Sequence, residues 1–252
     1  MEKNDGQQHV KRDYRKLYQA KDLYYFQVNL KETDLLIGVD KASYSDDLIT
    51  WCYQEVRRLR GALEIYIAMH PDFRSSFVPV VLLPGAPALA IDMAQAAWQT
   101  GVGPMAAVAG AFAQALGKKL RPQVREVIVE NGGDIYLDSS VARLISVFAG
   151  KSKLSHKIAI KVEAEECPLG ICTSSGTVGP SISLGKADAV VIKGDNAALA
   201  DAAATGAANL IQTEKDLMAA IEYIKNVPGI SGILAIKDNH MAAWGKIEIV
   251  PI

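Results

Sequence analysis

The sequence has 252 residues, of which 50% are hydrophobic, so it is long enough to bury a large core. Its formal net charge is −1 and its basic residues are dispersed, which excludes the concentrated basic surface that a nucleic-acid partner requires. Residues 1–18 hold no apolar targeting segment, and the longest apolar stretch, Val102 to Ala113, is too short to span a bilayer. Because its three cysteines favour a reducing compartment over a disulfide framework, we expect a cytoplasmic protein that has no membrane partner.

Hydrophobic periodicity in the first half predicts a strand pair followed by helices. The predicted order is a strand at 23–30, a strand at 35–39, a helix from the N-cap Ser45 to His70, an apolar run at 78–83, and helices from Pro87 to about Gln99 and from Met105 to Leu116.

The second half begins with strands and returns to paired helices. The predicted order is strands at 124–129, 135–137, 144–148 and 156–162, a loop at 167–183, a strand at 187–193, helices from about 195 to 212 and 213 to 227, and strands at 230–237 and 244–249. Paired helices between groups of strands favour an α+β fold with antiparallel sheets over regular βαβ alternation. We expect one domain over residues 1–252, or two interlocked halves at about 1–123 and 124–252.

The segment from Cys172 to Gly179 is the densest cluster of hydroxyl and glycine residues in the chain. Small residues let backbone N–H groups approach an anion, and hydroxyls add further donors, so such a loop can hold a phosphate. It lacks the Gly-Lys-Ser/Thr ending of a P-loop. The alternative is an ordinary connecting loop.

The predicted helix at 197–209 consists almost entirely of alanine and glycine around Asp201 and Thr205. These two residues are four apart, so their oxygens lie on one helix face. A carboxylate and a hydroxyl at this spacing can supply two of the oxygen ligands that Mg²⁺ prefers. The alternative is structural: Asp201 favours the helix start and Thr205 bonds back to a carbonyl.

Two other segments have both a structural and a chemical interpretation. The corner Asn131-Gly132-Gly133-Asp134 follows an apolar strand, and a hairpin turn or bulge explains it without a ligand. Cys167 and Cys172 match neither a redox nor a zinc spacing. A thiol beside a glycine-rich loop can have a depressed pKa and act as a nucleophile, whereas the alternative is a buried, inert cysteine.

Three of these segments, in this order, resemble the ApbE superfamily of flavin transferases. Residues 127–135 look like the superfamily's strand that ends in Gly-Gly-Asp, residues 172–176 are similar to its Thr-Ser-Gly loop, and residues 199–205 closely resemble its Ala-Asp-Ala-x-Ala-Thr helix. The resemblance runs from about Thr100 to Thr213. The sequence resembles a functionally uncharacterised ApbE-related family of bacteria and archaea more closely still.

The resemblance implies a T-fold-like α+β architecture and a phosphate-containing ligand, with FAD or FMN as the candidate cofactor and Mg²⁺ as the metal. ApbE enzymes move FMN from FAD onto a Ser or Thr of a target protein. The implied metal ligands are Asp201, Thr205 and a backbone carbonyl at Ala106, within the segment 103–107. The residues implied to line the same pocket are Gly132, Gly133, Asp134, Thr173, Ser174, Ser175 and Gly176.

The sequence departs from the transferases at two places. Ala106, Ala107 and Val108 stand where transferases carry a lysine in an Ala-Lys-Gly segment, and residues 179–184 lack the histidine of their Ser-His-Ile-x-Asp-Pro stretch. We therefore expect ligand binding without flavin transfer. If the protein is an enzyme, the expected reaction is Mg²⁺-dependent FMN transfer or cleavage of the FAD pyrophosphate.

Two alternatives follow from the same resemblance. The uncharacterised family is linked to sulfide assimilation into sulfur amino acids, which would make Cys172 a sulfur carrier. The other alternative is a non-catalytic scaffold. T-fold-like sheets often associate edge to edge, so a homo-oligomer is expected, with a dimer favoured.

Overall fold

The structure, a computed structural model, describes residues 20–176 and 184–252. Its helices are α1 (Asp46–Met69), α2 (Pro71–Ser75), α3 (Ala88–Thr100), α4 (Val108–Leu120), α5 (Ala197–Asn209) and α6 (Leu217–Lys225). Its strands are β1 (Leu23–Leu30), β2 (Thr33–Asp40), β3 (Val127–Asn131), β4 (Asp134–Asp138), β5 (Arg143–Ser146), β6 (Ile158–Val162), β7 (Leu169–Ser174), β8 (Ala189–Gly194), β9 (Ile230–Lys237), β10 (His240–Gly245) and β11 (Glu248–Pro251).

Two antiparallel sheets organise these strands. The larger has eight strands in the order β1-β2-β3-β4-β7-β8-β9-β10, and the smaller has the order β11-β6-β5. Strand β2 pairs with β3, so strands from both halves of the chain share one sheet. The predicted α+β architecture of antiparallel sheets with packed helices is confirmed.

Side chains alternate along the strands of the large sheet and so supply two separate cores. Along β8, Val190 and Ile192 pack toward the helices, whereas Ala189 and Val191 pack toward the small sheet. The large sheet is therefore covered on both faces, by helices on one and by the three-stranded sheet on the other.

Helix α5 lies in the middle of the helical layer. Its residues Ala200 and Ala203 belong to the core against the large sheet, while Ala198 and Ala202 belong to a second core shared with α3. A helix buried on all sides has no polar face, which explains why its sequence is almost entirely alanine.

The secondary structure differs from the sequence prediction at residues 169–174 and 244–249, and it agrees at the Gly132-Gly133 turn. Residues 169–174, predicted as part of a loop, form strand β7, while residues 177–183 of that loop lie outside the described part of the chain. The strand predicted at 244–249 is interrupted at Gly245, where φ is +84°, and its two ends belong to different sheets. The corner at Gly132 and Gly133 is a two-residue hairpin turn, as predicted, with φ of +71° and +108°.

Within residues 20–176 and 184–252, no helix combines the length and the apolar character needed to cross a bilayer.

Candidate functional site

Asp201 is the fifth residue of α5, and its side chain is only 8% exposed. Its side chain points at the first turn of α4, where the Gly110 N–H donates a hydrogen bond of 2.9 Å to Asp201 Oδ2. The N-cap position of α4 is occupied by Ala107, which has no side-chain acceptor of its own. Asp201 therefore caps α4 from a neighbouring helix, and its negative charge lies at the positive end of the α4 dipole.

Burial controls the ionisation of this carboxyl group. Burial raises the pKa of Asp201 to about 7, against the opposing effect of hydrogen bonds from the backbone of Gly110 and Ala109. A capping carboxylate on a helix N-terminus usually has a lowered pKa, so removal from water outweighs the favourable dipole here.

Asp134 brings a second buried carboxyl group to the same place. It follows the Gly132-Gly133 turn at the start of β4, and the Thr173 N–H donates to its Oδ1 at 3.2 Å. Burial raises the pKa of Asp134 well above its ordinary value, and the neighbouring negative charge of Asp201 raises it further. The structure therefore places the carboxyl group of α5 and the glycine corner close together.

The residues around the start of α4 lie next to Asp201 and are held by two hydrogen bonds. Asn131 Nδ2 donates to the Ala109 carbonyl at 3.2 Å, which ties the end of β3 to the first turn of α4. Just upstream, the N–H of Ala106 donates to the Gly103 carbonyl at 3.1 Å within a 3₁₀ turn. The segment predicted to offer a backbone carbonyl therefore immediately precedes the turn that Asp201 caps.

Thr205 follows Asp201 by one turn of α5 and is half-buried. Helix α5 lies along β7: its start packs on Gly170, and near its end Asn209 Oδ1 accepts a hydrogen bond of 2.8 Å from the Leu184 N–H. Thr205 lies between these two contacts along α5.

The hydroxyl-rich segment is only partly available to a ligand in this structure. Ser174 is buried, and both the Ser175 hydroxyl (3.3 Å) and the Gly176 N–H (2.9 Å) donate to the Ala187 carbonyl. Cys172 to Ser174 thus belong to strand β7, Ser175 and Gly176 follow it, and Thr177 to Gly179 lie outside the described residues.

The idea of a reactive Cys172 is contradicted by its surroundings. The side chain is fully buried on β7, and its thiol donates to the Ala197 carbonyl at 3.2 Å. Burial raises the pKa of the Cys172 thiol well above its ordinary value, and the charges of Asp134 and Asp201 raise it further. Of the two interpretations that the sequence left open, the structure therefore supports the buried, inert cysteine.

Two residues of the site were missed at the sequence level. Gly110 is the direct partner of Asp201, and Gln114 Oε1 accepts a hydrogen bond of 2.8 Å from the Ala197 N–H at the start of α5. Both lie on α4, far from α5 in sequence. The available signal was a glycine and a glutamine, four residues apart, in the apolar first part of α4.

Two cavities, of about 440 Å³ and 740 Å³, are lined by other residues, the first by Asp92 and Asn196 among others and the second by Lys151 and Lys237 among others. Within the described residues, no group of three or more His, Cys, Asp or Glu side chains is placed to hold a metal ion. A metal here would therefore depend on carboxylate, hydroxyl and backbone oxygens, which is the ligand type of Mg²⁺.

The fold defines the class of protein to which this chain is similar. It resembles the crystal structure of the flavinyl transferase ApbE from Pseudomonas stutzeri in its apo form, with a TM-score of 0.54 and 12% identity over 88% of this chain and 94% of that one. The flavin transferase ApbE from Vibrio cholerae gives a TM-score of 0.56 and 12% identity over 88% and 96%. At this identity the likeness establishes an ApbE-type fold.

Sequence comparison then gives the family. Residues 15–223 match the family described as AbpE bacteria, and the chain belongs to this family. A UPF0280 protein of Methanococcus maripaludis strain C7 is 38% identical over 225 residues, which cover 87% of this chain and 90% of that protein. A UPF0280 protein of Methanocella arvoryzae is 36% identical over 197 residues, covering 78% and 80%.

Proposed function

We propose that this protein binds a phosphate-containing ligand, with FAD as the first candidate, through Mg²⁺ held by Asp201 and Thr205. The proposal rests on one observation above all: two buried carboxyl groups, Asp201 and Asp134, lie close enough that the charge of one raises the pKa of the other. Within the described part of the chain, none of the causes of these two pKa shifts is a basic side chain. A divalent cation would supply the missing positive charge.

The donors present fit a hard cation. The Gly110 N–H donates to Oδ2 of Asp201 and the Ala109 backbone also donates to this carboxylate, which we propose as a metal ligand. Thr205 would add a hydroxyl from the next turn of the same helix, and the 3₁₀ turn at residues 104–107 would add a backbone carbonyl, with Ala106 as the candidate. Such a set leaves coordination positions for phosphate oxygens and water, as is usual for Mg²⁺.

The ligand proposal combines the site with the family relationship. Solved structures of the same fold are flavin transferases, and FAD carries a pyrophosphate whose charge Mg²⁺ can neutralise. The metal, when bound, would supply that charge neutralisation, while Thr173 and the Gly133 corner would border the ligand. Chemistry beyond binding is not proposed, because Ala106, Ala107 and Val108 hold no lysine where the transferases have one.

Titration calorimetry with Mg²⁺ alone, and then with Mg²⁺ plus FAD, tests the proposal. The wild-type protein is expected to bind Mg²⁺ and to bind FAD more tightly when Mg²⁺ is present. Asp201→Asn is expected to weaken Mg²⁺ binding at least about 100-fold, since it removes a charged ligand yet keeps an oxygen that can cap α4. Thr205→Val should weaken it by a smaller factor.

Asp195→Asn is the matched control, because Asp195 is exposed and lies just before α5. It makes the same change of charge and should bind as the wild type does. Equal binding by the wild type and Asp201→Asn, or no binding by either, would reject the metal site. Release of AMP from FAD, followed by mass spectrometry, would show instead that the protein cleaves the ligand.

The sulfur-carrier alternative is not proposed. It needs a thiolate at Cys172, and that thiol is buried among carboxyl groups that raise its pKa.

A further inference from the structure

An uncharged apolar surface covers the side of the molecule formed by residues 76–83 and the outer face of α3. Although 22% of the chain is charged, Asp92 is the only charged residue between Arg74 and Lys118. Much of this stretch is buried, but six of its large apolar side chains are exposed: Phe77, Val78, Val81, Leu83, Ile91 and Trp98. Val81, Phe77 and Val78 are the most exposed of them, at 75%, 64% and 61%, and Trp98 follows at 60%.

Hydrogen bonds show that these side chains form one surface. The indole N–H of Trp98 on α3 donates to the Val80 carbonyl at 3.2 Å, so the extended segment runs beside α3. The N–H of Leu83 donates to the Tyr66 hydroxyl at 2.9 Å, which fixes the other end of the segment on α1. Ile91 and Trp98 are seven residues apart and therefore share one face of α3.

The segment is held in place as a firm surface rather than left as a loose loop. Val80 and Leu82 pack inward on the core that α1, α3 and α5 share, and this turns Val81 and Leu83 outward. Its start is fixed as well, because the carbonyl of Ser76 packs against Gly103 so closely that an added Cβ would lie 1.9 Å from it.

We infer that this surface, residues 76–83 with Ile91 and Trp98, is the contact through which two copies of this chain form a symmetric dimer. The six exposed side chains present roughly 600 Å² of apolar surface, which is at the upper end for a free monomer. A stable interface buries about 800 Å² on each partner, so the patch and its immediate rim match what a dimer requires.

The character of the patch favours a second copy over a partner of another kind. A two-fold dimer brings the same patch of both subunits together, so the patch must be complementary to itself. An uncharged apolar surface satisfies this condition because it meets its own copy without like-charge repulsion. Aromatic enrichment and depletion of charge are also the marks of an interface core.

The inferred dimer contact differs from a contact along the sheet edge, which the fold resemblance alone would suggest. The edge strand β10 exposes Met241 at 52%, but its neighbours His240 and Lys237 are polar or charged. Charged and polar side chains are typical of edges that avoid pairing. The dimer contact inferred here also stands apart from the proposed function, since none of its residues is a candidate ligand.

Sedimentation equilibrium on the full chain tests the inference. The wild type is expected to be a dimer at micromolar concentration, and Phe77→Glu and Trp98→Glu are expected to raise the dimer dissociation constant at least about 100-fold, because each places a charge in an apolar interface. Dilution should also shift the tryptophan emission of the wild type to longer wavelength, as Trp98 becomes exposed.

Two matched variants keep the test specific. Met218→Glu changes an equally exposed side chain on α6 and should leave the dimer intact, as should Met241→Glu on the edge strand. Circular dichroism should confirm that every variant is folded. A wild type that stays monomeric at all concentrations would overturn the inference, and so would dissociation by Met241→Glu but not by Phe77→Glu.

Discussion

Asp201 has a structural task and a proposed ligand-binding task at the same atoms. As a cap it satisfies the Gly110 N–H of α4, and for that task an uncharged oxygen would serve equally well. Asp201 is a buried carboxyl group with a pKa of about 7, so it is ionised at alkaline pH. In the metal-free protein this buried charge lowers the stability relative to a neutral residue at the same position. The cap alone does not require the charge, whereas the proposed metal would.

Replacing Asp201 by asparagine separates the two tasks. In metal-free protein at pH 8, Asp201→Asn is expected to increase the free energy of unfolding by about 1–3 kcal/mol, since the cap is kept and the buried charge is removed. Urea denaturation in the presence of EDTA measures this. A loss of stability of similar size would mean that the carboxylate is needed by the fold itself.

At the scale of elements, the contact between α4 and α5 decides whether the site exists. Gly110 has no room for a side chain, because an added Cβ would lie 2.2 Å from the Ala197 carbonyl and 2.8 Å from Asp201 Cβ. This close approach is what brings the Gly110 N–H within reach of Asp201. A wider separation of the two helices would leave both groups buried without partners.

Gly110→Ala is therefore expected to destabilise the protein by at least about 2 kcal/mol, because the obstructing atoms belong to the backbone and cannot rotate away. Gly61→Ala is the matched comparison: it lies within α1 and an added Cβ would meet nothing within 4 Å. That change should stabilise the protein by about 0.5–1 kcal/mol through helix propensity. Thermal unfolding of both variants gives the two values, and equal effects would contradict the packing argument.

At the scale of the whole molecule, two groups of carboxyls act in opposite directions as pH changes. Asp201 and Asp134 have raised pKa values, so the folded state binds more protons than the unfolded state near neutrality, and their contribution to stability falls as pH rises. Glu126 behaves in the opposite way. Burial opposes its ionisation, but hydrogen bonds from Ser139, Ser140 and Arg143 outweigh burial and lower the pKa of Glu126.

The metal-free protein is therefore expected to be most stable at acidic pH, about 4 to 5. From there to about pH 7 stability should decrease, because an unfolded aspartate has already lost the proton that Asp201 keeps up to its pKa of about 7. Below about pH 4 stability should decrease because protonation of Glu126 breaks its bond to Arg143 Nη2, 3.1 Å long. Urea midpoints from pH 3 to 8 in EDTA measure this profile. Asp201→Asn should flatten the alkaline side alone, and a profile that rises steadily to pH 8 would refute the assignment.

The sequence by itself determined most of the architecture and the class of fold. Periodicity predicted α1, α3 and the strands before β7, and the turn at Gly132 and Gly133 followed from the need for positive φ. These features are local, since each depends on neighbours within a few residues. The order of the three motifs added the family relationship, which residues 15–223 confirm.

Only the tertiary structure decided what surrounds those residues. Strand β7 was hidden in a segment rich in glycine and hydroxyls, because its strand character comes from pairing with β4 and β8 rather than from propensity. The cap from Asp201 to Gly110 likewise depends on α4 packing on α5, and the buried state of Cys172 depends on β7 packing against α5. These contacts join residues that are far apart in the chain. The environment of a side chain, and hence its pKa, is set by long-range packing that no local pattern encodes.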